Sequence, residues 1–428
     1  MLHVVAARHS PRLVYTLELL LGELLGLTYV LHLPGRETVP ASAPVLGYGV
    51  AAPCQLPACG LLTETGVRQA VPVVRQAGFA RLFPQAGGTP GLNFDLLAAA
   101  FYVATDYEKY QQQRLDAHGR YDAAAYPSAA WGLDRMPLVH VYAQHLRAVL
   151  ERCYPGQLAF APPVYAPVYT FDIDFPWLYL HKPAWVQAAG LGRDLLRGQA
   201  GARLHAWRSG RDPYDTFEDI FARCVPTQTR FFFLIERSSP YDSRFTWRIP
   251  AYQALIRRVR DRGYTVGIHP SYRSSEIPGA IAAETAALAR VLDAPVRHAR
   301  QHFLRYRYPD TCRALLDAGI EHDYTLCRFD RAGFPCGMAR PFGWYDLLAE
   351  RQTPLRLHPT LVMDRSLQGY LRLDPAGAAV RLRELIATTR TYGGTFTMLL
   401  HNDTLSDTGD WRGWRQTWLD VLADMATD

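Results

Sequence analysis

Residues 166–177 read APVYTFDIDFPW, and two carboxylates, Asp172 and Asp174, stand there in an otherwise apolar, strand-forming run. On a strand, residues i and i+2 face the same way and lie roughly 6.5 to 7 Å apart along the chain, so both acids look into one place. Similar runs follow: TRFFFLIE (229–236), YTVGIHP (264–270), VRHARQHF (296–303), IEHDYTLC (320–327) and GTFTMLLHND (394–403). Each reads as a buried or half-buried strand. Helical stretches fall between several of them, at 251–263, 280–293, 309–319 and 378–394, the last ending on a glycine pair that reads as a helix stop. Alternating strand and helix predicts an α/β fold with a parallel sheet and crossover helices, wound open or closed into a (β/α) barrel. Asp172, Asp174, His269, His302 and His401 all fall at the C-terminal ends of these strands, the rim on which a (β/α) barrel collects its catalytic groups.

The chain has 428 residues, which predicts two globular units. The turn-rich stretch CYPGQLAFAPPVYAP (153–167) divides a smaller mixed α/β domain, 1–155, from the barrel, 165–428. A hydrophobic content of 49% with 20% charged residues excludes general disorder. The net charge of +6 comes from scattered arginines, with Lys109 and Lys182 the only lysines. Its densest stretch, LIRRVRDRG (255–263), keeps an apolar helical face. No nucleic-acid partner is expected on that basis. The apolar run at 12–33 is interrupted by Glu18 and Glu23. It reads as a helix leading into a strand, with no membrane span, so a cytoplasmic protein is expected. Seven cysteines at irregular spacing, Cys54 and Cys59 among them, form no zinc pattern and read as reduced structural thiols.

Residues 166–405 resemble the NodB-like polysaccharide deacetylases of the carbohydrate esterase type. TFDID (170–174) resembles the family's Thr-Phe-Asp-Asp motif with one residue inserted between the acids, which implies Asp172 as general base and Asp174 as metal ligand. GIHPSYR (267–273) supplies the first histidine of a two-histidine metal motif as His269, with Arg273 at the second position. RQHF (300–303) is similar to the Arg-x-Pro-aromatic motif, whose arginine, here Arg300, pairs with the base; His302 stands where proline is usual. Taking the two departures together, His302 replaces the missing ligand, and Asp174, His269 and His302 hold a divalent metal, zinc by donor type. His298 is the competing ligand, and Ser271 or Tyr272 could offer a hydroxyl instead. MLLHND (398–403) resembles the family's late Leu-His pair, which implies His401 as the general acid. The N-terminal part, its opening stretch above all, is similar to an uncharacterised domain that accompanies some cytoplasmic bacterial members.

The implied reaction is metal-dependent hydrolysis of an N-acetyl amide on an N-acetylated sugar or glycan, with an intracellular sugar precursor expected before mature wall polymer. A bound metal lowers the pKa of water from about 16 to about 7, Asp172 accepts its proton, and His401 protonates the departing nitrogen. The long loop at 330–347 is expected to reach the rim, where Arg340, Trp344 and Asp346, with Tyr272, would grip the sugar. Three rivals remain. A non-catalytic carbohydrate-binding or scaffold protein would have lost its metal through Arg273. A deacylase would act on a small amide. A metal-free glycosidase needs carboxyls on opposite sides of a bond, which acids two apart on one strand do not provide. The oligomeric state has no signature here.

Overall fold

The aromatic and β-branched runs beyond residue 165 do pair as strands. The computed structural model describes residues 1–33, 39–68, 73–75 and 79–426. It begins with a four-stranded parallel sheet of β1 (Leu2–Ala6), β2 (Tyr29–His32), β3 (Val45–Tyr48) and β4 (Cys54–Leu56) in the order β2-β1-β3-β4. The stretch at 12–33 is the expected helix leading into a strand: Pro11–Leu17 continues with wider turns to Leu24 before β2. An antiparallel pair, β5 (Val73–Arg75) and β6 (Ala80–Leu82), and the helices Leu96–Ala104 and Leu138–Cys153 complete this part. Among the described residues no helix is long and apolar enough to cross a membrane.

The larger sheet has nine strands: β7 (Tyr165–Ile173), β8 (Thr229–Phe233), β9 (Thr265–Ile268), β10 (His298–Ala299), β11 (His322–Asp323), β12 (Phe342–Asp346), β13 (Arg351–Leu357), β14 (Val362–Met363) and β15 (Gly394–His401). Their order is β12-β13-β11-β10-β9-β8-β7-β15-β14, parallel except for the β12–β13 pair. The expected crossover helices are present at Pro250–Asp261, Ala280–Leu292, Asp310–Asp317 and Pro375–Tyr392. In Pro250–Asp261 the buried residues Tyr252, Leu255, Ile256 and Val259 form one stripe, the spacing of a helix lying on a sheet. Its arginines turn outward to carboxylates and carbonyls, as Arg258 does to Asp215 and Arg262 to Glu218. Asp374 caps Pro375–Tyr392 by accepting the Gly377 N–H at 2.8 Å, and Gly393, at φ 68°, stops it where a left-handed turn favours glycine.

A distorted (β/α) barrel was expected; the structure shows a largely parallel nine-stranded sheet whose end strands, β12 and β14, do not pair with each other. The segment 358–361, between β13 and β14, passes from β11 to β15 with one bridge, Cys327 to Thr360, and with bonds from the His358, Thr360 and Leu361 N–H groups to the Asp323, Leu326 and Thr397 carbonyls, in place of a continuous ladder. The expected loop at 330–347 also differs, because its second half is the edge strand β12. Buried apolar side chains form one continuous cluster on both sides of residue 155. All seven cysteines are free thiols.

Across that boundary the helix Pro11–Leu17 is fastened to the β12–β13 turn. The buried Arg12 guanidinium donates to Glu350 Oε2 at 2.9 Å and to the carbonyls of Leu61 and Gly66, while the Tyr15 hydroxyl donates to the Gly343 carbonyl. Removing one partner of such a buried pair strands the other. Arg12→Ala is therefore expected to lower the unfolding free energy by about 3 kcal/mol, measured by urea titration. A loss below about 1 kcal/mol would place this pair with ordinary surface bridges.

Candidate active site

Strand register brings the rim residues together. His401 on β15 pairs with Asp172 on β7, Phe233 on β8 pairs with Ile268 on β9, and Ile268 with Ala299 on β10. His269 and Arg300 each follow a paired residue directly, so β15, β7, β9 and β10, with β8 between β7 and β9, deliver His401, Asp172, His269 and Arg300 to one edge. Asp174 stands one residue past β7. The short turn after β10 carries His302, followed by Phe303 and Leu304, which both take positive φ, a conformation that non-glycine residues adopt at a cost.

Arg300 is fully buried and every end of it is engaged. Nη1 donates to Asp172 Oδ1 and Thr170 Oγ1, each at 2.8 Å, Nε to the Tyr324 carbonyl at 3.0 Å, and Nη2 to Thr360 Oγ1 at 3.0 Å. Asp172 Oδ1 is thereby committed, and Oδ2 turns toward His269 Nε2 at 3.7 Å. The expected pairing of Arg300 with Asp172 is what the geometry shows.

Each histidine is oriented by an acceptor on its Nδ1. His269 Nδ1 donates to the Arg300 carbonyl at 2.6 Å, His302 Nδ1 meets Asp242 Oδ1 at 2.9 Å, and His401 Nδ1 meets Asp364 Oδ1 at 2.9 Å. All three Nε2 atoms then face Asp174, His269 at 3.3 Å from Oδ1, His302 and His401 each at 3.6 Å from Oδ2. Burial pulls the His302 imidazole down, but Asp174 and Asp242 outweigh it and hold it at about 9. Burial likewise opposes His401, which Asp364 and Asp174 raise to about 9. Burial pushes the Asp174 carboxyl up, and His302 and His269 overcome this to hold it well below the usual carboxylate range. A cluster that gathers this much proton charge around one carboxylate suits a cation.

The donor set bears this out. The ligand atoms of Asp174, His269 and His302 lie within 4.8 Å of one another, and Asp174 Oδ1 is buried without a hydrogen-bond partner. His269 Nε2 faces one oxygen of this carboxylate at 3.3 Å and His302 Nε2 the other at 3.6 Å, so a cation held by the carboxylate would meet both imidazoles. One carboxylate and two imidazoles, each imidazole backed by an acceptor, fit a divalent cation.

Other expected residues lie elsewhere. His298 stacks on His322 at 4.6 Å, in a group with His358 and Tyr324, so it does not compete for the cation. Ser271 is taken up by Glu284, which accepts its N–H at 2.8 Å and its hydroxyl at 2.5 Å. Arg273 points outward to Glu276. Arg340 donates to the Glu23 carbonyl, Trp344 to the Tyr110 hydroxyl, and Asp346 pairs with Arg313. None of these three lines the cleft: Arg340 and Trp344 turn to the N-terminal part and Asp346 to the helix Asp310–Asp317. Tyr272 is buried behind Tyr241 and Phe303, its hydroxyl 3.1 Å from His118 Nδ1. Sequence reading missed Asp242, Asp364 and Thr360. Asp364 carried a legible signal, an acid closing the apolar run LVMD at 361–364; Asp242, in a Ser-rich loop, carried none.

The site opens into a cleft of about 930 Å³, lined by Asp172, Asp174, His269, His302 and His401 with Phe175, Tyr241 and Tyr370 at its mouth. These three aromatics are 43%, 49% and 48% exposed, enough for a ring face to meet a ligand.

A family of unknown function (DUF7033) matches residues 2–155. No curated protein matches the chain. Among solved structures the chain is similar to a candidate polysaccharide deacetylase from Mycobacterium smegmatis, at 16% identity over 63% of this chain and 86% of that one, with a TM-score of 0.40. It is also similar to a family 4 carbohydrate esterase from Streptomyces lividans in complex with acetate, at 10% identity over 62% and 88%, TM-score 0.30. A third is a CE4 family pseudoenzyme from Bacillus anthracis, at 9% identity over 62% and 65%, TM-score 0.28.

Glu284 offers a pH test of how the loop after His269 is held. Burial raises its carboxyl to about 7, against the lowering effect of Ser271. The folded state therefore holds this proton between the ordinary value near 4.5 and about 7, so stability is full below that window and falls as pH rises through it. Glu284→Gln, which cannot ionise, is expected to gain on the wild type by about 3 kcal/mol between the two ends of the window, read by urea unfolding at several pH values. A difference that does not change with pH would contradict this.

Proposed function

We propose that the protein hydrolyses the N-acetyl amide of an N-acetylated sugar or glycan with the help of a divalent cation, zinc by donor type. The observation that carries this reading is the Asp174 carboxylate, whose buried Oδ1 lacks a hydrogen-bond partner and lies 3.3 Å from His269 Nε2, while its Oδ2 faces His302 and His401 Nε2 at 3.6 Å each. Asp174, His269 and His302 would hold the cation. When bound, it supplies Lewis acidity, which brings the pKa of water from about 16 to about 7. Asp172 accepts the proton of the attacking water at Oδ2, since Oδ1 is committed to Arg300. His401 carries its proton on Nε2, with Nδ1 turned to Asp364, and gives it to the departing sugar nitrogen. The exposed aromatics at the mouth suit the apolar faces of sugar rings.

The domain division belongs to the same reading: 1–155 a mixed α/β domain, 165–428 a distorted barrel whose gap the segment 358–361 spans. The non-catalytic alternative rested on Arg273. That side chain lies outside the site, and His302 stands where a second nitrogen ligand is needed, which favours the enzyme.

The test is metal content of the purified protein by elemental analysis together with acetate release from N-acetylated sugars. The wild type is expected to hold one cation per chain, Asp174→Ala and His302→Ala to lose it, and Asp172→Asn to keep it while turnover falls at least about 100-fold. A wild type that takes up no metal after supplementation would make the non-catalytic reading the correct one.

A further inference from the structure

The N-terminal part does not stay behind the barrel; it sends a hairpin into the mouth of the cleft. Residues 114–122 turn back on themselves through the Leu115–Tyr121 bridge, with Gly119 at φ 73° and Asp116 Oδ1 accepting the N–H groups of His118 and Arg120. The hairpin is fixed to the rim on both flanks. On one, the His118 carbonyl accepts Arg305 Nε at 2.6 Å and its ring packs on Tyr241 and Phe303 at 5.3 and 5.1 Å. On the other, the Tyr121 hydroxyl accepts the Tyr308 N–H at 2.8 Å.

Between these anchors Arg120 is presented to the cleft, where it is a lining residue together with the five residues of the reaction centre. Its guanidinium lies 3.5 Å over the Phe329 ring, and Asp116 Oδ2 takes Nε at 2.8 Å and Nη2 at 2.7 Å. Beyond Asp116, among the described residues the terminal nitrogens meet only the Tyr370 hydroxyl, at 3.4 Å, so this rigid fork keeps donor capacity on the cleft side. The second arginine of the cleft, Arg365, is neutralised in the same way by Asp403 at 2.6 Å. Two arginines that each carry their own carboxylate offer hydrogen bonds without net charge, and this suits hydroxyl and carbonyl oxygens better than a phosphate or carboxylate.

We propose that the hairpin 114–122 is a wall of the substrate site, and that Arg120 donates hydrogen bonds to an uncharged sugar unit adjoining the one that is deacetylated. This rests on the deacetylase reading and gives the N-terminal part a share in substrate binding. Arg120 acts on binding and not on the chemical step.

The test uses the neutral pentamer of N-acetylglucosamine with the full chain. On the Asp172→Asn background, Arg120→Gln is expected to weaken binding of the pentamer about tenfold by calorimetry, with metal content and the folded circular dichroism spectrum unchanged, while loss of the Asp116 pair lowers Tm. In otherwise wild-type protein the same change is expected to raise KM by a similar factor and leave kcat in place. Arg120→Lys, which keeps the charge facing Asp116 but loses the fork, should fall between the two. Equal pentamer affinity with and without Arg120 would overturn the proposal, as would absence of pentamer binding in every variant. Tighter binding of an acidic oligosaccharide than of the pentamer would overturn the assignment of an uncharged unit. Affinity lost with Arg120 in a protein whose wild type releases no acetate would uphold the hairpin as a sugar-binding wall and overturn the deacetylase reading instead.

Discussion

A guanidinium cut off from solvent has to find a partner for its charge and for its protons inside the protein, and Arg300 does so with four residues from three strands or strand extensions. Thr170 and Asp172 come from β7, the Tyr324 carbonyl from the continuation of β11, and Thr360 from the segment that leaves the β11 side of the sheet for β15. That irregular segment follows from the same requirement, because Thr360 Oγ1 reaches Arg300 and also donates to the Tyr324 carbonyl at 3.2 Å. With Oδ1 of Asp172 held, Oδ2 is aimed, and the cluster around Asp174 inherits its geometry from a structural pair.

Outside this pair, buried carboxylates set the histidines. Asp242 is held by the N–H and hydroxyl groups of Ser238 and Ser239 and by the Tyr272 N–H, and Asp364 by the His401 and Arg365 N–H groups and the Thr404 hydroxyl. Their only role toward the site is to accept from a ring nitrogen, which fixes the other nitrogen toward Asp174. His269 obtains the same service from a backbone carbonyl. Three different supports thus converge on one carboxylate, and that convergence is hard to account for by packing alone.

The N-terminal part is tied to the sheet at two places with different consequences. Arg12 and Tyr15 fasten a helix to the edge strands and serve the fold, whereas the hairpin 114–122 reaches the rim. The residues of 330–347 that resemble sugar contacts in sequence are used elsewhere, Arg340 and Trp344 on Glu23 and Tyr110 of the N-terminal part and Asp346 on Arg313. Of the two arginines that do line the cleft, Arg120 comes from a stretch whose sequence, RLDAHGRYD, shows nothing but a turn.

The sequence by itself determined the alternation of strand and helix, because hydrophobic period and helix stops are local properties of the chain. It also determined that Asp172, Asp174, His269, His302 and His401 end strands, and since parallel strands in register share one rim, these five residues were legible as a group. Tertiary structure alone decided what each of them meets. His298 and His302 are four residues apart and read equally well as ligands, yet the positive φ of Phe303 and Leu304 and the acceptor on Asp242 belong to His302, while His298 turns into a stack of imidazoles. Asp242, Asp364, Thr360 and Arg120 come from segments far apart in sequence, and contacts closed over such distances leave no period or motif to read. The break between β13 and β14 belongs to the same class, because it answers to a buried guanidinium contributed by another strand.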